Sequence, residues 1–196
     1  EKNGTDYVHK ITRAFLDGRK LLTSLKGEKL SDSQREKLRK FAAVVGSNWE
    51  KTLAEATYKY AGSVYKDMIK LKTILDSNGN IKKANSKYIK HWGELKGFSL
   101  SLQTGKNNLG ETATRINRLI GYGPLLTNLS QVTDIDSKGN YVRSQGNGWG
   151  QYMLHMVKLQ RLLIDKFGIK AKKNEITGSI TDLAKNLGGG KSAEND

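Results

Sequence analysis

The chain has 196 residues, of which 34 are Lys or Arg and 19 are Asp or Glu, so its formal net charge at pH 7 is +15. It has no cysteine, which excludes disulfides, thiolate metal sites and a cysteine nucleophile. The excess of positive charge favours acidic partners, although most of the lysines are scattered as on solvated helix faces.

The single proline, Pro124, fits a chain made mostly of helices, because proline lacks the amide donor that a helix interior needs. The first helix is predicted to begin at Thr5 or Asp6 and to end near Leu25, before Gly27. Its predicted inward face follows the apolar spacing and consists of Val8, Ile11, Phe15, Leu22 and Leu25.

A second and very long helix is predicted from the capping signals at residues 31–33 to Leu75, with Gln34 or Glu36 as the capping-box partner. Such a helix would be roughly 60 Å long, so a break at Gly46 or Gly62 remains an alternative. Its apolar residues keep steps of three or four. Trp49 belongs to this series and is therefore predicted to lie in the core.

Three further helices are predicted, at about residues 84–102, 110–120 and 149–167, with a polar loop at 121–146 between the last two. Residues 134–139 resemble the start of a calcium loop, but Lys138 stands at a ligand position, so a plain turn is expected. The predicted fold is an all-α antiparallel helix bundle over residues 5–168, followed by a basic, partly disordered tail at 169–196.

The segment His91-Trp92-Gly93-Glu94 carries the densest chemistry of the sequence. On a helix, His91 and Glu94 lie about one turn apart on the same face, so an imidazole nitrogen and a carboxylate can converge on one ion. The spacing alone is weak evidence, because two such residues often meet by chance on a helix surface.

This segment, followed by Gly97-Phe98, resembles the HxxE-containing helix of the imelysin-like proteins, which are helical proteins of the bacterial envelope. Four other stretches resemble an uncharacterised branch of the same family in the same order. These stretches are residues 15–19, 48–51, 121–124 and 162–168. The resemblance covers about residues 7–168 and corresponds to the C-terminal half of the family's domain.

The resemblance implies a protein of the periplasm or outer-membrane surface, or a secreted one, that is associated with iron uptake. It also implies a metal site at His91 and Glu94, which would hold an iron or zinc ion or a metal-bearing ligand such as haem. The HExxH arrangement of zinc hydrolases is absent, so binding is favoured over metallopeptidase activity and no catalytic residue is assigned.

Two ligands do not hold an ion tightly, so further ligands are expected from other helices. The candidates are Glu50, Glu55, Asp17 and His155, although His155 stands between apolar neighbours, a setting that favours a packed structural residue over a ligand. His9 is expected to lie exposed.

The alternative function is a basic helical interaction or assembly module. Its partner would be an acidic molecule, a second chain or the N-terminal half of the domain, and nucleic acid is disfavoured.

Overall fold

The computed structural model describes residues 5–105, 107–145 and 148–179. This part of the chain has five α-helices and one two-stranded sheet, which confirms the prediction of a mostly helical fold. The helices are α1 (Tyr7–Ser24), α2 (Asp32–Asp76), α3 (Lys82–Gln103), α4 (Glu111–Ile120) and α5 (Trp149–Phe167). The strands are β1 (Ser130–Ile135) and β2 (Tyr141–Gln145), and a 3-10 turn covers Thr177–Ser179.

Helix α2 has 45 residues and is the central element of the fold, because α1, α3 and α5 all pack against it. It begins with Ser31 as N-cap, and the Ser31 hydroxyl and the Gln34 side chain form a reciprocal capping box. The helix runs through Gly46 and Gly62 without a break. Its 45 residues span about 68 Å at 1.5 Å per residue, so it offers separate packing surfaces to its neighbours.

Helix α1 lies antiparallel to the N-terminal half of α2. Near one end of α1, Gly18 lies against Leu38 and Phe41, and near the other, Thr5 donates a hydrogen bond to Glu55. The C-terminal half of α2 packs against α3 and α5 to form the core. The fully buried large side chains of that core are Tyr58, Met68, Leu71, Tyr88, Leu95, Leu102, Ile116, Ile120, Leu125, Tyr152, Met156 and Leu159.

A buried hydrogen-bond chain joins α3, α4 and α5. The indole N–H of Trp92 donates to the hydroxyl of Tyr152 (2.8 Å), which in turn donates to the carbonyl of Ile120 (2.7 Å). Ile120 is the last residue of α4, so its carbonyl has no partner within the helix and needs one from outside. The hydroxyl of Tyr88 likewise donates to the carbonyl of Leu125 in the following loop. Helix α3 thereby positions the chain that leaves α4.

The inward face predicted for α1 is wrong at three of its five residues, since Ile11 and Leu25 are partly buried but the other three are exposed. Ala14 and Gly18 are the buried residues of this helix, whereas Val8, Phe15 and Leu22 are more than half exposed. Trp49 was predicted to lie in the core and is 58% exposed. These four exposed residues are apolar and regularly spaced, but burial also needs a facing element. In the described part of the chain α1 packs only on α2, so no other element covers the remaining sides of α1.

The polar region at residues 121–146 was predicted to be a loop, but it contains the β1–β2 hairpin. The turn between the strands is built around Asp136, whose Oδ1 accepts hydrogen bonds from the amides of Lys138 and Asn140. These bonds, that of Asn140 first, lower the pKa of Asp136. The calcium-like stretch is therefore a hairpin turn in which Asp136 organises the backbone.

Residues 169–179, the described part of the expected tail, pack against α2 and α5. Ile169 and Ile176 are buried in the core, and the side chain of Gln160 binds this segment at two backbone groups. It donates to the carbonyl of Asn174 and accepts from the amide of Ile176, both at 2.9 Å. The remainder of the expected tail lies outside the described residues.

Candidate functional site

The candidate site lies where α3 faces the C-terminal half of α2. Trp92 points into the core, and the residue before it, His91, faces α2. There the Nδ1 atom of His91 forms a hydrogen bond with Oδ2 of Asp67. Asp67 is a buried acidic residue of α2, on which Val64, Met68 and Leu71 are buried as well, and it was not among the residues predicted from the sequence to form a site.

Lys87 also approaches Asp67, with its Nζ 3.5 Å from Oδ1. One carboxylate oxygen therefore faces a lysine and the other faces an imidazole. The Asp67 side chain is only 8% exposed, whereas that of His91 is 21% exposed. A carboxylate this buried needs partners, because an unpaired buried charge costs several kcal/mol. Lys87 and His91 supply them from the facing helix.

Glu94 lies one turn further along α3, beside Tyr60 of α2. Burial raises the pKa of Tyr60, and the charge of Glu94 and a hydrogen bond to it add to the rise. Tyr60 also stacks on Phe98, with ring centroids 5.5 Å apart, and lies 5.8 Å from the ring of His91. The Glu94 side chain is 32% exposed and forms an ion pair with Lys90, whose Nζ lies 4.0 Å from Oε1 of Glu94. An aromatic pair therefore flanks a site that stays open to solvent.

The other residues proposed as ligands lie elsewhere in the fold. Glu50 accepts two hydrogen bonds from Asn107, and Glu55 accepts one from Thr5. These residues precede Asp67 on α2 by 17 and 12 positions, or about 26 and 18 Å at 1.5 Å per residue. Neither is therefore brought to the candidate site.

His155 is half-buried on α5, where it contacts the ring of Tyr152 edge-on and lies 3.5 Å from the Gln151 amide nitrogen. Burial lowers its pKa, and the charge of Lys158 lowers it further. In residues 5–105, 107–145 and 148–179, no three His, Asp or Glu side chains form a group that could hold a metal ion. His155 therefore lies in a packed environment and does not join His91 and Glu94 in a ligand group.

No described helix is both long enough and apolar enough to cross a membrane. Comparison with known protein families, with curated proteins and with solved structures gave no match. The resemblance to the imelysin-like proteins therefore stays a prediction.

Proposed function

We propose that the protein binds a transition metal ion or a metal-bearing ligand through His91 and Glu94. The observation that carries this proposal is the hydrogen bond between His91 Nδ1 and Asp67. A histidine that binds a metal usually donates its other ring N–H to a carboxylate, a carbonyl or water, which sets the tautomer and the ring orientation. Asp67 supplies such a carboxylate to His91.

The tautomer follows from the chemistry of the pair. A carboxylate oxygen accepts hydrogen bonds, so in the neutral imidazole the proton lies on Nδ1 and the lone pair on Nε2. A neutral imidazole binds Zn²⁺ or Fe²⁺ through such a lone pair, so Nε2 is the atom of His91 that is available to a metal. Glu94, one turn away, offers carboxylate oxygens as the second donor, so the proposed donor set is one nitrogen and one carboxylate from a single helix.

Two protein donors fill only part of the coordination shell of a transition metal, since protein zinc sites have four ligands or more. The remaining positions would be filled by water, by donor atoms of a metal-bearing ligand or by a partner chain. A metal-bearing ligand agrees with the iron-uptake role that the resemblance implies. The open side of the site, with Tyr60 and Phe98 beside it, supports the same class of ligand.

Zinc titration followed by equilibrium dialysis tests the proposal with the metal alone. We expect the parent protein to bind zinc and the His91→Ala variant to lose this binding, because the substitution removes the nitrogen donor. Asp67→Asn keeps the size of the side chain but replaces the charged acceptor, so we expect it to weaken binding about 10- to 100-fold.

His9→Ala is the matched control, because it also removes one histidine but at an exposed position of α1. We expect this variant to bind zinc as the parent does. Equal loss of binding in His9→Ala and His91→Ala, or equal retention in both, would contradict the proposal. Circular dichroism of each variant confirms that it is folded.

A further inference from the structure

Helix α1 presents an unusual number of apolar side chains to solvent. Val8 is 71% exposed, Phe15 62%, Leu16 53% and Leu22 51%. Single exposed apolar residues are ordinary on protein surfaces, but four on one 18-residue helix form a patch. At about 100° per residue, Val8, Phe15 and Leu22 form one stripe that lies about 60–100° from the direction of the buried Ala14 and Gly18, so the stripe runs along the flank of α1 beside its contact with α2.

The same surface is rich in unneutralised positive charge. Helix α1 carries four cationic residues, which are Lys10, Arg13, Arg19 and Lys20. Asp17 is its only acidic residue. In the described part of the chain, none of the four cations forms an ion pair. A partner for this helix must therefore satisfy positive charge as well as cover apolar side chains.

Helix geometry sets out the apolar and the cationic residues around the solvent-exposed arc of α1. At about 100° per residue, Leu16 points directly away from the mean direction of Ala14 and Gly18, which are buried against α2. Arg19 and Lys20 lie to either side of Leu16, and all three line one shallow depression on α1. Arg19 thus lies between Leu16 and the stripe of Val8, Phe15 and Leu22, whereas Lys10, Arg13 and Lys20 lie on the other flank of α1, beyond Leu16.

We propose that α1 docks on an anionic lipid surface, with its apolar side chains entering the boundary of the acyl chains and its cations at the headgroup phosphates. Arginine and lysine suit this arrangement because their apolar stems can lie along the acyl region while their charges reach the headgroups. The 18 residues of α1 give a contact about 27 Å long. A second copy of α1 fits this face poorly, since both surfaces would be cationic.

Co-sedimentation with vesicles of equal parts phosphatidylglycerol and phosphatidylcholine tests the proposal, with pure phosphatidylcholine vesicles as the neutral reference. We expect the parent protein to bind the anionic vesicles and to leave them as salt rises, because added ions screen the attraction. Phe15→Ser/Leu22→Ser removes two large exposed apolar side chains, so we expect about tenfold weaker binding. Ile69→Ser/Leu100→Ser removes two similarly exposed side chains from other helices and is expected to bind as the parent does.

A second pair of variants separates the charge of α1 from the charge of the whole protein. Arg19→Glu/Lys20→Glu and Lys82→Glu/Lys83→Glu change the net charge equally, but only the first pair lies on α1. We expect at least about tenfold weaker binding for the first pair and less than about twofold for the second. Equal effects of the two pairs would overturn the proposal. Absence of binding to anionic vesicles at low salt would overturn it too, and would leave the surface to an acidic protein partner.

Discussion

Gly62 and Gly46 form a matched pair for testing how the C-terminal segment packs on α2. Both lie inside the same helix, where replacing glycine by alanine normally stabilises by about 0.5–1 kcal/mol. At Gly46 a Cβ would meet nothing within 4 Å. At Gly62 it would lie 1.9 Å from the carbonyl oxygen of Asn174 and 2.9 Å from its carbonyl carbon. Both substitutions to alanine therefore gain the same helix propensity, but only the one at Gly62 has a steric cost.

The steric cost at Gly62 is high because backbone atoms cannot rotate away as a flexible side chain can. The segment around Asn174 would have to move, and its bonds to Gln160 and Ser63 would lengthen or break. Two hydrogen bonds at about 1 kcal/mol each, together with the strain of overpacking, exceed the propensity gain. We expect Gly62→Ala to lower the free energy of unfolding by about 1–3 kcal/mol.

Urea denaturation followed by circular dichroism at 222 nm measures both variants under the same conditions. The account predicts that Gly46→Ala raises the free energy of unfolding by up to about 1 kcal/mol while Gly62→Ala lowers it. If the two variants are equally stable, the packing of the C-terminal segment against α2 is refuted.

Three further predictions concern buried or half-buried polar groups. Tyr152→Phe leaves Trp92 and Ile120 without their partner, so it should lower the free energy of unfolding by about 2–3 kcal/mol in urea denaturation. Tyr58→Phe should leave the free energy of unfolding unchanged or raise it slightly, because the Tyr58 hydroxyl is buried without a hydrogen-bond partner in the described part of the chain. Equal destabilisation by Tyr152→Phe and Tyr58→Phe would contradict these two predictions. Because burial lowers the pKa of His155 in the folded state, the unfolded chain binds the proton more readily, and stability should decline as the pH falls below about 6.5. His155→Gln should reduce that decline in denaturation measured at several pH values, and an unchanged pH profile would refute the assignment.

The helices were the predictable part of the fold, because apolar spacing and capping signals are local. Ser31 and Gln34 lie three residues apart, and the sequence indicated them as one of two possible capping boxes. The structure contains this capping box. The β1–β2 hairpin was missed since its strands are short and mostly exposed, and polar residues dominate the region. A turn signal between Ile135 and Tyr141 was present, but it was read as part of a loop.

Spacing predicts that a residue series shares one face, but it does not predict what lies against that face. Phe15 and Trp49 belong to regular apolar series and are nevertheless exposed. Burial depends on whether another element packs against the face, and the periodicity of one helix does not predict that.

Asp67 was missed for a related reason, since its partner His91 is 24 residues away. A signal existed, because an acidic residue within a stretch of buried α2 residues requires a partner.

The metal content of the purified protein is the most direct test of metal binding at His91 and Glu94. The protein would be prepared without chelators or a histidine tag and measured by elemental mass spectrometry beside His91→Ala/Glu94→Ala, with Glu50→Ala as a control. We expect a transition metal in near-stoichiometric amount in the parent and in Glu50→Ala, and its loss in the double variant. Absence of metal from the parent even after iron or zinc loading, or equal metal in the parent and the double variant, would contradict the account.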